Sequence, residues 1–184
     1  MLSFSPKYVT KDLLSGLPDR SRKVLTDRFG LTPKGESRTL DAIGQEYGIT
    51  RERIRQIENH SIAVVRESEV YTAQAPHLED LKKVMQTLGG VVAEETLLAE
   101  VPKQELEKNH IVFLLTVGHH FNDRREDANF KTRWHTDETL AEAVERALAA
   151  LYESIEAHRL TPEEEFVELF AKYLKQEGVK NRPA

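Results

Sequence analysis

Arg51, Glu52, Arg55 and Gln56 stand close together in the chain, followed by Asn59. On a helix, positions 52, 55, 56 and 59 share one stripe at i, i+3, i+4 and i+7. Each of these side chains has a hydrogen-bonding partner on the edge of a base pair. Arginine forks onto guanine O6 and N7, glutamine pairs with adenine N6 and N7, and glutamate accepts from cytosine N4. The chemistry this implies is recognition of base edges in a duplex, without bond making or breaking. A helix with alternating charges is ordinarily only solvated, and Glu52 with Arg55 could be no more than a surface pair. What separates the two readings is whether the neighbouring elements are built to present that helix.

They carry the signs of such a construction. Two helices that cross at a tight turn need a small residue at the crossing, and Gly44 supplies it. The turn needs a left-handed residue, and Gly48 supplies that. Ile43, Ile49, Ile54 and Ile57 recur where the pair must pack. Thr39 and Thr50 precede the two helices as N-caps, with helices predicted at 40–47 and 51–65. A merely solvated helix has no need of this turn geometry, so a helix-turn-helix is expected, docking by the first turns of its second helix. Upstream, Val24, Leu25 and Phe29 recur at helical spacing over 19–29, after a break at Gly16 and Pro18. Residues 30–35, with two glycines and a proline, read as a loop.

The run Thr50-Arg51-Glu52-Arg53-Ile54-Arg55-Gln56-Ile57-Glu58, with Thr39 to Ile49 before it, resembles region four of the bacterial primary sigma factors. Arg28-Phe29-Gly30 resembles the end of the preceding helix in that family, and the likeness covers about residues 17–62. It implies a module that reads the promoter minus-35 element and docks on the flap of the RNA polymerase β subunit. By position, Arg51, Glu52, Arg55 and Gln56 would touch bases. Arg20, Arg28, Leu40 and Thr50 would approach the phosphate backbone, the last two through helix N-termini. The helix of Val24 and Leu25 would lie near the polymerase-facing surface, unless both are core residues. The family's basic tail is missing: residues 59–65 contain no lysine or arginine. No segment resembles the sigma parts that melt the minus-10 element or bind the polymerase clamp.

Charge divides the chain. Residues 1–74 carry 12 Lys+Arg and 10 Asp+Glu, a net of +2, and residues 75–184 carry 14 and 21, a net of −7. A DNA-binding surface must therefore be local. The chain has no cysteine, which removes disulfide frameworks and cysteine-based zinc modules. No apolar run spans a bilayer and no signal peptide opens the chain, so a cytoplasmic protein is expected, without a membrane partner.

Three segments are expected: a helix-turn-helix domain over 1–70, a winged-helix-like domain over 77–136, and a helical part over 137–184. Residues 67–76 read as a helix tail and a linker ending at Pro76. In the second segment, Phe130, Thr132 and Trp134 alternate with Lys131, Arg133 and His135, as on a half-buried strand paired with 119–124. Arg124, Lys131 and Arg133 are candidate wing contacts to phosphate, or else a solvated face. In the third, Thr161-Pro162-Glu163-Glu164 predicts a capped helix start. His110, His119, His120 and His135 lack the spacing of a metal site. There is no phosphate-cradling glycine loop or nucleophile elbow, so no cofactor and no enzymatic activity are expected. The fold class expected is mainly α. The function expected is that of a DNA-binding transcription regulator with double-stranded DNA as partner. The alternative is an interaction protein that occupies RNA polymerase through the sigma-like fold and barely reads DNA.

Overall fold

The computed structural model describes residues 2–102, 104–155 and 160–180. These form nine helices and three short strands, and they divide into two compact units. The first unit holds Met1–Val84 with Glu95–Phe121; the second holds Met85–Glu94 with Asn122–Ala184.

The first unit opens with α1 (Pro6–Ser15) and α2 (Asp19–Phe29). Arg22 joins them: its Nε donates to the Leu14 carbonyl at 3.2 Å and a terminal nitrogen donates to that of Leu17 at 2.8 Å. These carbonyls lie at and just beyond the C-terminal end of α1, where few backbone donors are available. α2 ends at Gly30, which is left-handed at φ 64°. A Cβ there would come within 2.7 Å of the Ser37 backbone nitrogen, so the following loop folds against a bare backbone. α3 (Leu40–Tyr47) and α4 (Arg51–Arg66) follow.

The expected linker is absent. α5 (Glu69–Thr87) begins three residues after α4 and runs through Pro76. Ser68 makes this possible: its hydroxyl accepts from Tyr71 N at 3.1 Å, capping the new helix, and donates to Val65 O at 2.7 Å, closing the old one. Tyr71, Leu78 and Leu81 are buried, and this packing outweighs the one hydrogen bond a proline removes.

α6 (Glu94–Glu100) contributes Leu97 to the interior. α7 (Glu107–Val117) buries Ile111, Phe113, Leu114, Leu115 and Val117, so it is apolar on nearly all sides and lies inside the unit. Phe113 meets Phe29 of α2 edge to face at 5.3 Å between centroids. Arg66 of α4 donates to the carbonyls of Val117 and Thr116 at 2.9 and 2.8 Å, satisfying the C-terminal end of α7. The segment 77–136 is thus not a separate compact domain. Its helices α6 and α7 belong almost wholly to the helix-turn-helix unit, because α7 spends its apolar surface there.

The second unit contains β1 (Val91–Ala93), β2 (Asn122–Arg124) and β3 (Arg133–His135), antiparallel in the order β1-β3-β2. Val92 faces Trp134 across one pair and Asp123 faces Trp134 across the other. The expected hairpin is present and β1 is an addition, too short to show a period in the sequence. The expected one-sided burial is not found: Arg133, Trp134 and His135 are all buried. Trp134 donates from Nε1 to Glu94 at 2.8 Å. Arg133 and His135 meet carboxylates of α8 (Glu138–Ser154). Arg133 donates from Nε to Glu145 at 2.7 Å, and Arg124 binds both Glu145 and Glu138. Both arginines expected to grip phosphate are therefore committed within the unit, while Lys131 is exposed.

α8 starts at Asp137, whose carboxylate accepts from Leu140 N at 3.0 Å. Its most buried line is Ala141, Ala147 and Leu151, with Leu140, Val144 and Leu148 half-buried beside it. α9 (Glu163–Gln176) starts one residue later than expected, and Thr161 makes no capping bond. The first-turn carboxylates Glu163, Glu164 and Glu165 favour that helix end through its dipole instead. Arg146 of α8 donates to Glu177 at 2.7 Å beyond the end of α9.

Glu145 holds two arginines with its side chain only 19% exposed. Removing it takes from Arg133, 11% exposed, its nearer carboxylate and leaves Asp127 at 3.5 Å, while Arg124 keeps Glu138. Glu145→Ala is expected to cost about 2–3 kcal/mol of stability, somewhat less than for a fully buried pair. Glu145→Gln, which retains the packing, should cost less; denaturant unfolding monitored by Trp134 fluorescence measures both.

Candidate nucleic-acid interface

The recognition helix is held in place from within. Val24 of α2, Ile43 of α3 and Ile54 of α4 are wholly buried against one another, with Leu40, Tyr47, Ile49 and Ile57 packed around them. Three helices thus share one small core. Val24 and Leu25 are core residues at 0% exposure, so neither presents a surface to a partner. The reading that placed their helix at a polymerase-facing surface loses these two side chains.

The turn has the geometry its residue types require. Gly48 adopts φ 64° at the C-terminus of α3, and Ile49 N donates to Gly44 O at 3.0 Å. A Cβ on Gly44 would sit 2.7 Å from the Ile49 carbonyl oxygen and 3.4 Å from Arg51 N. α3 and the start of α4 therefore touch backbone to backbone. Both helices are capped: Thr39 Oγ1 accepts from Ala42 N at 3.1 Å, and Thr50 Oγ1 from Arg53 N at 3.2 Å.

Ile54 and Ile57 turn inward from α4, so Arg51, Glu52, Arg55, Gln56 and Asn59 face outward, all exposed. These outward side chains are paired with neighbours. Arg55 forks onto Glu52, with Nε–Oε2 at 2.9 Å and a terminal nitrogen–Oε1 at 2.7 Å. This hydrogen bond from Arg55 lowers the Glu52 carboxyl below its usual value, and the carboxylate raises Arg55 in return. Gln56 accepts from Arg53 at 2.9 Å, and Arg51 lies 3.8 Å from Asp41 at the start of α3. These pairs are exposed and screened by water, so they order the side chains without locking them.

The residues expected at phosphates are less uniform. Arg20 is exposed, its guanidinium 5.5 Å from the centroid of Tyr47. Leu40 and Thr50 stand at the starts of α3 and α4. Arg28 instead turns into the domain: Nε lies 3.4 Å from Glu58 of α4, and a terminal nitrogen donates to Arg38 O at 3.3 Å. Arg28 acts as a brace between α2, the loop and α4.

Two features escaped the sequence reading. Glu46 of α3 accepts from Lys23 of α2 at 2.8 Å and from Arg38 of the loop; Arg38 also lies 3.6 Å from Asp27. The hydrogen bond from Lys23, then that from Arg38, pushes the Glu46 carboxyl down to about 2. Asn109 of α7 donates from Nδ2 to Gly30 O at 3.0 Å and Gly35 O at 2.7 Å, pinning the first half of the loop between α2 and α3. Neither could be found by local spacing, because the partners lie 23 and 79 residues apart.

With this geometry in hand, the chain was compared with known families. Residues 13–67 match sigma-70, region 4. They form the helix-turn-helix of that family, a DNA-binding module of transcription, and the match runs from α1 through the end of α4. No solved structure matches the chain.

The four histidines have separate surroundings. His110 is buried in α7, with burial lowering its ring pKa first and Lys7 adding to that. His119 packs on Tyr71, His120 meets Glu79 at 2.8 Å, and His135 meets Glu138 at 3.2 Å. No helix among the described residues is long and apolar enough to cross a membrane.

Two outcomes follow for this module. Gly44→Val should cost more than about 2 kcal/mol by overpacking at a backbone contact, with Gly44→Ala between it and wild type in thermal unfolding. The Glu46 carboxyl, followed by NMR, should titrate near 2 instead of its ordinary 4.5. Its folded-state value is depressed, so its contribution to stability is complete above about 4.5 and fades as pH falls toward 2. Glu46→Gln should flatten that part of the stability profile.

Proposed function

We propose that the helix-turn-helix inserts α4 into a DNA major groove and reads a promoter element of the minus-35 type through Arg51, Glu52, Arg55 and Gln56. The observation that carries this is the outward stripe of these four side chains on a helix whose opposite face is fixed in a three-helix core. The N-terminal backbone groups of α3 and α4, with Arg20, supply phosphate contacts. The protein acts by binding, as a regulator of transcription, and catalyses no reaction.

The pairing within α4 fits this role energetically. Opening an exposed Arg–Glu pair costs little, because water screens both charges. A bidentate contact to a base returns about 1–3 kcal/mol of discrimination. The correct sequence can therefore pull Arg55 and Gln56 from their partners, while a wrong one leaves Glu52 facing phosphates.

Docking on RNA polymerase is the second reading. The match to sigma region 4 supports it, whereas the burial of Val24 and Leu25 favours the DNA-reading role over it.

Selection from a random duplex library across a salt series tests the first reading. An enriched motif related to the minus-35 hexamer is expected. Arg55→Ala and Gln56→Ala should each lose about 1–3 kcal/mol of selectivity at single base positions. If no motif is enriched at low salt while polymerase co-purifies, the reading fails and the polymerase-docking one replaces it.

A further inference from the structure

The second unit has an apolar surface that its own helices leave open. Phe130, Leu148, Leu151, Tyr152, Ile155 and Phe166 line a groove of about 590 Å³ along α8 and the start of α9. Tyr152 is 83% exposed and Phe166 41%. Val167 and Leu160 extend the apolar surface, at 58% and 96% exposure. No residue of α9 is fully buried, although Phe166, Leu169, Phe170, Tyr173 and Leu174 give it a full apolar face. Large exposed apolar side chains gathered in one place mark interaction sites.

The charge around the groove decides what fits it. α8 and α9 together carry eight carboxylates and three basic residues. Glu153 lines the groove itself, and Glu163, Glu164 and Glu168 are exposed on α9. The acidic excess of the two helices disfavours nucleic acid and anionic lipid surfaces. It also disfavours a second copy of this chain, because a two-fold contact would set the same acidic helices against each other. A partner helix with an apolar stripe and flanking lysines or arginines satisfies both the groove and that acidity.

We infer that the α8–α9 groove is a docking site for a basic amphipathic helix of another protein. The occupant's apolar stripe lies on Phe130, Tyr152 and Phe166, and its basic flanks meet Glu153 and the acidic excess of α8 and α9. The second unit then supplies a protein contact independent of the DNA-reading helix.

Fluorescence anisotropy on the full chain tests this with a labelled helical peptide bearing a leucine face flanked by lysines, and with the same peptide carrying glutamates for lysines. Saturable one-to-one binding of the lysine peptide is expected, weakened by added salt. Tyr152→Ser with Phe166→Ser should weaken it at least about tenfold, as the loss of aromatic anchors does. Both side chains are exposed, so the fold should survive, which circular dichroism checks. Glu153→Gln should weaken binding less and reduce its salt dependence. The inference is overturned if the lysine peptide does not bind, if the glutamate peptide binds equally, or if the double serine variant binds unchanged. Sedimentation showing a dimer that this variant abolishes would assign the groove to a second copy instead.

Discussion

The backbone contact at Gly44 is the constraint on which the recognition surface depends. The Ile49 carbonyl oxygen occupies space that any side chain at position 44 would need. This closeness lets Gly48 turn the chain in one residue and brings Thr50 to the start of α4 with its hydroxyl in capping position. It also sets which residues of α4 point inward. Ile54 joins Val24 and Ile43 in the core, and with Ile54 fixed, the helical period sends Arg51, Glu52, Arg55 and Gln56 outward. A larger separation of α3 and α4 would loosen the core and rotate the reading stripe together.

Charge pairing performs two different tasks in this protein, and exposure separates them. On α4 the Arg55–Glu52 pair is more than half exposed and costs little to open. At Glu145 the carboxylate and Arg133 are 19% and 11% exposed, and the pair ties β3 to α8. Opening it would strand charge in a poorly solvated place. The same residue types thus form loosely held surface pairs on one helix and structural ties on another. Sequence alone gives both the same appearance, which is why Arg124 and Arg133 resembled phosphate contacts.

Steric and capping rules made the helix-turn-helix legible. Gly44, Gly48, Thr39 and Thr50 each answer a local requirement, and local requirements are written in spacing. The continuation of α5 through Pro76 was not legible, because a proline signals a break unless tertiary burial overrides it, and the burial of Tyr71, Leu78 and Leu81 is not local information. β3 misled for a related reason. Alternation along Phe130 to His135 suggests one covered face, but α8 covers the other as well, and the cover consists of carboxylates that take up Arg133 and His135. Arg28 and the Lys23–Glu46–Arg38 cluster belong to the same class: their chemistry was visible in the sequence, but their partners were not.

The family module and the physical module have different boundaries. The match to sigma-70, region 4 ends at residue 67, yet α7 lies far beyond it and belongs to the same compact unit. Phe113 packs on Phe29, Asn109 holds the first half of the loop between α2 and α3, and Arg66 returns the connection from α4 to the end of α7. The shared core of Val24, Ile43 and Ile54 and the Lys23–Glu46 pair tie α2 to α3 directly, and α7 adds its own contacts to α2, to the loop and to α4. The orientation of α4 is therefore a property of the whole first unit, including a helix that lies outside the residues matched to the family.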